Sequence, residues 1–260
     1  MLKINKRQSE IFQLIKEHEN MDVRDILPHF QVSAPTIRKD LNILEDAGMI
    51  VRTHGAVRLV SHPAQMAPFE ARSCLHKDAK EIIAQIAADQ IHDGDSILLD
   101  SGTTTTELAK LLVDRENLTI FTNSLPITML FSRSQVSVNL LGGIFLGRNF
   151  SVQGPEAEDY LRRIEVDKAF VCSSGVRPGY GLVNSQPLEA SLKKCMVRSG
   201  RTIYALLDSS KFEKSSVYPF ARFSDLDYII TEKPIENEAL LSSIETAGVE
   251  LLVADKIHSK

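Results

Sequence analysis

The stretch Asp100-Ser101-Gly102-Thr103-Thr104-Thr105-Thr106 follows the apolar run SILL and leads into ELAKLL. A strand is expected to end at Asp100, turn at Gly102 and enter a helix among the threonines. Backbone N–H groups at a helix start have no helical partners, and with hydroxyls beside them they make an anion site. A plain threonine N-cap is the competing reading of the same residues. The stretch does not continue into G-K-[ST], and no G-x-G-x-x-G occurs in the chain. It is therefore neither a P-loop nor a dinucleotide fingerprint, and no cofactor is expected.

Four more apolar runs give way to small or polar residues in the same manner. LTIFT leads to Asn123-Ser124, VSVNLL to Gly142-Gly143, KAFVC to Ser173-Ser174-Gly175, and TIYALL to Asp208-Ser209-Ser210-Lys211. Such residues close strands for purely structural reasons. Five clusters together, if the strands are parallel, collect on one sheet edge, which is where open α/β folds bind ligands. Lys193 and Lys211 are candidate cationic partners for a phosphate. Lys193 also stands four residues after Glu189, and an i,i+4 pair would engage it instead.

A second kind of chemistry lies near the front. Arg38, Lys39, Arg52 and Arg58, with His54, fall close together. A helix starting at Ser33, with Pro35 tolerated in its first turn and Gly48 as its stop, buries Ile37, Leu41 and Leu44 as one stripe. Its exposed N-terminal half offers Ser33, Thr36, Arg38, Lys39 and Asn42, the groups that a recognition helix presents to a major groove. Arg and Lys meet phosphates or guanine edges, and Asn pairs with adenine. Arg52, His54 and Arg58 suit a DNA backbone or minor-groove contact. The bland alternative is a small helical module with a solvated basic face.

Enzymatic chemistry on the same sheet, as in an isomerase or deaminase, needs a placed acid or base. The histidines (18, 29, 54, 62, 76, 92, 258) are scattered, and H-E-x-x-H, G-x-S-x-G and C-x-x-C are absent. Asp100 and Asp208 are the available bases, at positions where a binding carboxylate also sits. Neither catalysis nor a metal site is expected.

These groups need elements to hold them. Helical spacing covers 5–18, a short helix fits 22–29 with Asp22 as N-cap, and the Ser33 helix runs to about Ala47. MIVRT and AVRLV flank His-Gly as a hairpin. Three helices and a hairpin make a winged helix-turn-helix over 1–60. Residues 61–70 (SHPAQMAPFE), with two prolines and no periodicity, read as a linker. Beyond it, helical stretches near 77–91, 104–113, 125–132, 155–164 and 187–199 alternate with the apolar runs above and with DYIIT. The fold class is α/β, with a mostly parallel sheet over 71–260.

Composition agrees with this plan. The 260 residues are 43% hydrophobic and 25% charged, with net charge −4, which excludes a disordered scaffold. Residues 1–60 carry nine Lys/Arg against eight Asp/Glu, and the remainder 21 against 26. A locally basic end on an acidic body fits a segment that meets an anion. No apolar run reaches the ~20 residues of a membrane span, and the N-terminus has no apolar signal core. Three widely spaced cysteines form no disulfide framework, so a reducing cytoplasm is the expected compartment.

VSAPTIRKDLNILEDAGMIVRTHGA (Val32–Ala56) resembles the helix-turn-helix signature of the DeoR family of bacterial repressors. It departs in lacking the second Gly of the family's His-Gly-Gly-Ala and in having PHF at 28–30. The likeness continues through PFEAR (68–72), DSILLDSGTTTTEL (95–108), TNS (122–124), LGG (141–143), GPEA (154–157), DKAF (167–170), Lys193 with Met196, and DSSKF (208–212). At Cys172–Val176, CSSGV departs from the family's usual pattern. The resemblance implies a sensor related in fold to sugar-phosphate isomerases and coenzyme A transferases. It implies double-stranded operator DNA, a small phosphorylated sugar or sugar-alcohol effector, and a homo-oligomer as partners, with no membrane. It also implies that Gly102–Thr105 holds the phosphate, with Asp100, Asn123, Gly143, Gly154, Lys193 and Lys211 lining the site.

Overall fold

The structure is a computed structural model. It describes residues 4–18, 20–46, 49–53, 56–59 and 68–254, which divide into two compact units, 1–77 and 78–260.

The first unit opens with helix α1, Lys6–His18. Asn5 and Gln8 cap its start reciprocally: the Asn5 side chain accepts from the Gln8 N–H at 3.0 Å, and the Gln8 side chain from the Asn5 N–H at 2.9 Å. Strand β1 (Asn20–Asp22) leads into α2 (Val23–Ile26), which Asp22 caps by accepting from the Arg24 N–H at 2.8 Å. The sequence suggested one helix from 22 to 29. The chain instead tightens into a 3₁₀ turn at Leu27–His29. Pro28 offers no N–H, so it cannot continue the α-helical hydrogen-bond ladder.

Helix α3 (Ala34–Asp46) follows, then strands β2 (Ile50–Thr53) and β3 (Ala56–Leu59). β2 and β3 form the expected antiparallel hairpin, and β1 adds a third strand beside β3. Ile11, Ile15, Ile26, Ile37, Leu41, Leu44, Ile50 and Val57 close one core, each side chain contributing about 1.5–3 kcal/mol by leaving water. Helix α4 (Phe69–Cys74) begins inside the segment read as linker, and its Ala71 joins this same core.

The second unit is built on α5 (Lys77–Ala88), β4 (Ser96–Leu99), α6 (Thr103–Leu111), β5 (Thr119–Thr122), α7 (Leu125–Leu130) and β6 (Ser137–Leu140). A ribbon of β7 (Ile144–Leu146) and β8 (Ser151–Gln153) precedes α8 (Pro155–Leu161) and β9 (Val166–Cys172). Then come β10 (Gly175–Arg177), β11 (Gly181–Asn184), α9 (Pro187–Ser199), β12 (Gly200–Leu206), β13 (Tyr218–Arg222), β14 (Tyr228–Thr231), α10 (Glu238–Thr246) and β15 (Glu250–Val253).

Seven strands make one parallel sheet in the order β15-β14-β12-β9-β4-β5-β6. Alternate residues feed two cores. Leu98, Ala169, Val171 and Ile203 pack with α8, α9 and α10, while Ile97, Leu99, Phe170 and Leu206 pack with α5, α6 and α7. The strand order reverses direction between β4 and β9, so the crevice of this sheet lies between their carboxyl ends. Among the described residues, no helix is long and apolar enough to cross a membrane.

Candidate functional site

Asp100 leaves β4 beside the end of β9 and is buried. One carboxylate oxygen, Oδ1, accepts from the Gly102 N–H at 2.9 Å and the Thr105 hydroxyl at 2.8 Å. The other, Oδ2, accepts from the Cys172 N–H at 2.7 Å and from the Lys193 ammonium. Lys193 also donates to the Cys172 carbonyl at 2.9 Å and lies 3.9 Å from Glu189 Oε1. Asn149 donates to the other Glu189 oxygen at 3.2 Å. Asp100, Lys193, Glu189 and Asn149 thus form one buried polar chain across the switch point. The i,i+4 relation to Glu189 that the sequence offered is present, and the contact with Asp100 is one the sequence did not suggest.

Gly102 has an ordinary extended backbone, so positive φ is not the reason for glycine here. A Cβ would lie 2.3 Å from Cys172 Sγ and 2.8 Å from Asp100 Oδ1. The loop has to be bare for β4 and β9 to come this close. Burial works against the charge of Lys193, but Asp100 and Glu189 outweigh it and hold its pKa above the ordinary lysine value. Burial, helped by the charge of Asp100, pushes the Cys172 thiol up to about 11.

The threonine segment differs from the open polar rim that the sequence suggested. Residues 100–106 are all buried, Thr104 at 3% and Thr105 at 0% exposure. The Thr105 hydroxyl is turned onto Asp100 and the Gly102 carbonyl, and the Thr106 hydroxyl donates to that carbonyl at 2.8 Å. The Thr103 and Thr104 hydroxyls enter none of these bonds, and Ser101 sits buried between Asp100 and Gly102.

Asn123, at the end of β5, is buried and donates to the Val152 carbonyl at 3.0 Å, while its own carbonyl accepts from the Val152 N–H at 2.8 Å. This ties the β7–β8 ribbon across the β5 end. Among the described residues, Asn123 Oδ1 and Gln153 Oε1 are buried acceptors without a hydrogen-bond partner. Gly142 and Gly143 are exposed before the ribbon and Gly154 is buried after it, with positive φ at Gly143 and Gly154. Asp208 and Lys211, expected on the same sheet edge, stand after a different strand. They follow β12, two strands from β4, and form their own ion pair at 3.0 Å, with Ser210 donating to Asp208 at 2.5 Å. The sequence did not single out Cys172, Asn149 or Gln153, and it treated Glu189 only as a neighbour of Lys193.

On the first unit, Ser33, Arg38, Lys39 and Asn42 are exposed and Thr36 is half-buried, while Ile37, Leu41 and Leu44 face the core. The Ser33 and Thr36 hydroxyls meet at 2.9 Å. Asp40, on the inner side of α3, is buried and accepts from Gln8 at 2.8 Å and Arg7 at 2.6 Å, which fixes α3 to α1. Arg52 does not reach outward. Its guanidinium donates to Asn42 Oδ1 at 2.6 Å and to the Arg38 carbonyl at 3.1 Å. Arg58 lies in β3 opposite Val51, but its side chain, like all of His54, lies outside the described residues.

Two family profiles cover most of the chain: the DeoR-like helix-turn-helix domain matches residues 7–62, and the DeoR C terminal sensor domain residues 75–233. The chain is 36% identical over 228 residues to the transcriptional repressor AccR of Agrobacterium fabrum, covering 87% of this chain and 88% of that one. It is 28% identical over 234 residues to the glycerol-3-phosphate regulon repressor of Escherichia coli, covering 90% and 92%. Among solved structures, ribose 5-phosphate isomerase A from Methanocaldococcus jannaschii is similar at 19% identity and a TM-score of 0.39, over 52% of this chain and 54% of that one. With two family profiles matched in sequence along its length, the chain belongs to the DeoR family of DNA-binding transcriptional regulators.

Proposed function

We propose that this protein represses a carbohydrate catabolic operon and releases the DNA when a small phosphorylated sugar or sugar-alcohol binds its second unit. The winged helix-turn-helix meets an operator half-site through α3, with Ser33, Thr36, Arg38, Lys39 and Asn42 at the groove. A second copy supplies the other half-site. A single module holding a few phosphates binds non-specifically only at about 10⁻⁴–10⁻⁶ M, so pairing is needed for tight occupancy.

The observation that carries the effector reading is the Asp100–Lys193 chain at the switch point, with the amino end of α6 beside it. The name of the glycerol-3-phosphate regulon repressor points to the same ligand class. In this reading a phosphate meets the α6 amino end and the Thr103 and Thr104 hydroxyls. Because residues 100–106 are buried, a ligand there must favour a rearranged conformation. That differential affinity is what lets a ligand shift a protein between two states.

A thermal-shift screen of phosphorylated sugars, each beside its unphosphorylated parent, tests the site. Ligand at 100 times Kd adds about 2.7 kcal/mol. For a chain of this size the melting temperature then rises by roughly 5–10 °C. The expected result is a rise with one phosphorylated compound and none with its parent; no rise across the panel sinks the effector reading. Both Asp100 oxygens are already engaged by four donors, which leaves no free base at this position. NMR of pentose and hexose phosphates incubated with the protein is expected to show no product, and turnover would overturn the non-enzymatic reading.

A further inference from the structure

The wing arginine lies along a stripe of α3 formed by Arg38, Asn42 and Glu45, spaced four and three residues apart. It is held at both ends. The Arg52 N–H donates to Glu45 Oε1 at 3.1 Å, and its Nε lies 3.9 Å from Glu45 Oε2. Its two terminal nitrogens donate to Asn42 Oδ1 and to the Arg38 carbonyl. Its side chain is 27% exposed, whereas Arg38 and Lys39 are exposed outright. A guanidinium whose two terminal nitrogens are engaged on a helix, with Nε unpartnered 3.9 Å from Glu45, is poorly placed to fork onto a DNA phosphate as well.

We propose that Arg52 is a positioning residue for base reading: it orients the Asn42 amide and so sets which base edge that amide recognises. With Oδ1 turned to Arg52, the Nδ2 donors are the free end of the side chain. Asn42 then presents its Nδ2 donors to a purine edge, guanine O6/N7 or adenine N7, the latter with the second Oδ1 lone pair accepting from N6. Oδ1 accepts one bond from Arg52 and keeps a second lone pair, so the adenine contact expected from sequence is compatible with this orientation. This inference rests on the assignment of α3 as the reading helix.

The test is selection of duplexes from a random-sequence pool by the full-length chain and by its Arg52→Met, Arg52→Lys and Asn42→Ala variants, followed by binding at several salt concentrations. Wild type is expected to prefer one base pair, G·C or A·T, at one position of each half-site. Asn42→Ala relaxes that base pair, and both Arg52 variants alter its preference about tenfold while the salt slope stays as in wild type. Arg52→Lys keeps the charge and loses the planar fork, so it separates positioning from charge even if Arg52→Met folds poorly.

A salt slope lower by about one unit in Arg52→Met, restored in Arg52→Lys, would make Arg52 a phosphate contact and overturn the proposal. If Asn42→Ala relaxes a base pair that neither Arg52 variant affects, the positioning role alone fails. If Asn42→Ala changes no preference, the assignment of α3 fails with it.

Discussion

Lys193 is the only cation in direct contact with buried Asp100 among the described residues, so removing it leaves a carboxylate enclosed without a counter-charge. Lys193→Met is expected to lower stability by about 3–5 kcal/mol in urea unfolding, more than a surface ion pair would. A pH dependence follows from the same residues. Cys172 and Lys193 both have folded pKa values raised above their unfolded ones. Their contribution is complete below the unfolded values and is lost as pH rises through the folded ones. Stability should therefore fall above about pH 9, and Cys172→Ala should lose less of it; unfolding midpoints at pH 7, 9 and 10.5 check this. Asp100 and Lys193 were legible in the sequence because a strand-end carboxylate and a helical lysine are conspicuous. Cys172 was not, since its part depends on β9 lying next to β4, a pairing that no local pattern encodes.

At the scale of elements, the close approach of the Asp100–Thr106 turn to β9 depends on Gly102. Gly102→Ala is expected to cost about 1–3 kcal/mol by overpacking against Cys172 Sγ, and part should return in Gly102→Ala/Cys172→Ala; thermal unfolding of these two variants and of Cys172→Ala measures it. On α3, Arg38→Ala should weaken DNA binding and lower the salt slope by about one unit, as read from anisotropy at several salt concentrations. The α3 stripe was legible because Ile37, Leu41 and Leu44 recur at helical spacing and are all buried. The short strands were not: β1, β7 and β8 are three residues each, too short for a period of two to stand out. Such strands exist because a neighbour pairs with them. The threonine segment misled in another way, since four hydroxyls suggest solvent while the fold turns two of them onto Asp100 and the Gly102 carbonyl.

For the whole molecule, the alternation of strands and helices made a parallel sheet legible, but not its order. That order, with β4 beside β9, turns scattered strand ends into one crevice and leaves Asp208 and Lys211 two strands away. A DNA-reading unit and a sheet with a buried charged crevice make a switch only if the crevice controls the DNA. The most direct measurement is the affinity of the full-length chain for its selected duplex, by anisotropy, across phosphorylated sugars and sugar-alcohol phosphates and their unphosphorylated parents. The account predicts that one phosphorylated compound lowers DNA affinity at least about tenfold, a coupling of ~1.4 kcal/mol, while its parent has no effect. Affinity unchanged by every compound, or lowered equally by a phosphorylated compound and its parent, would contradict it.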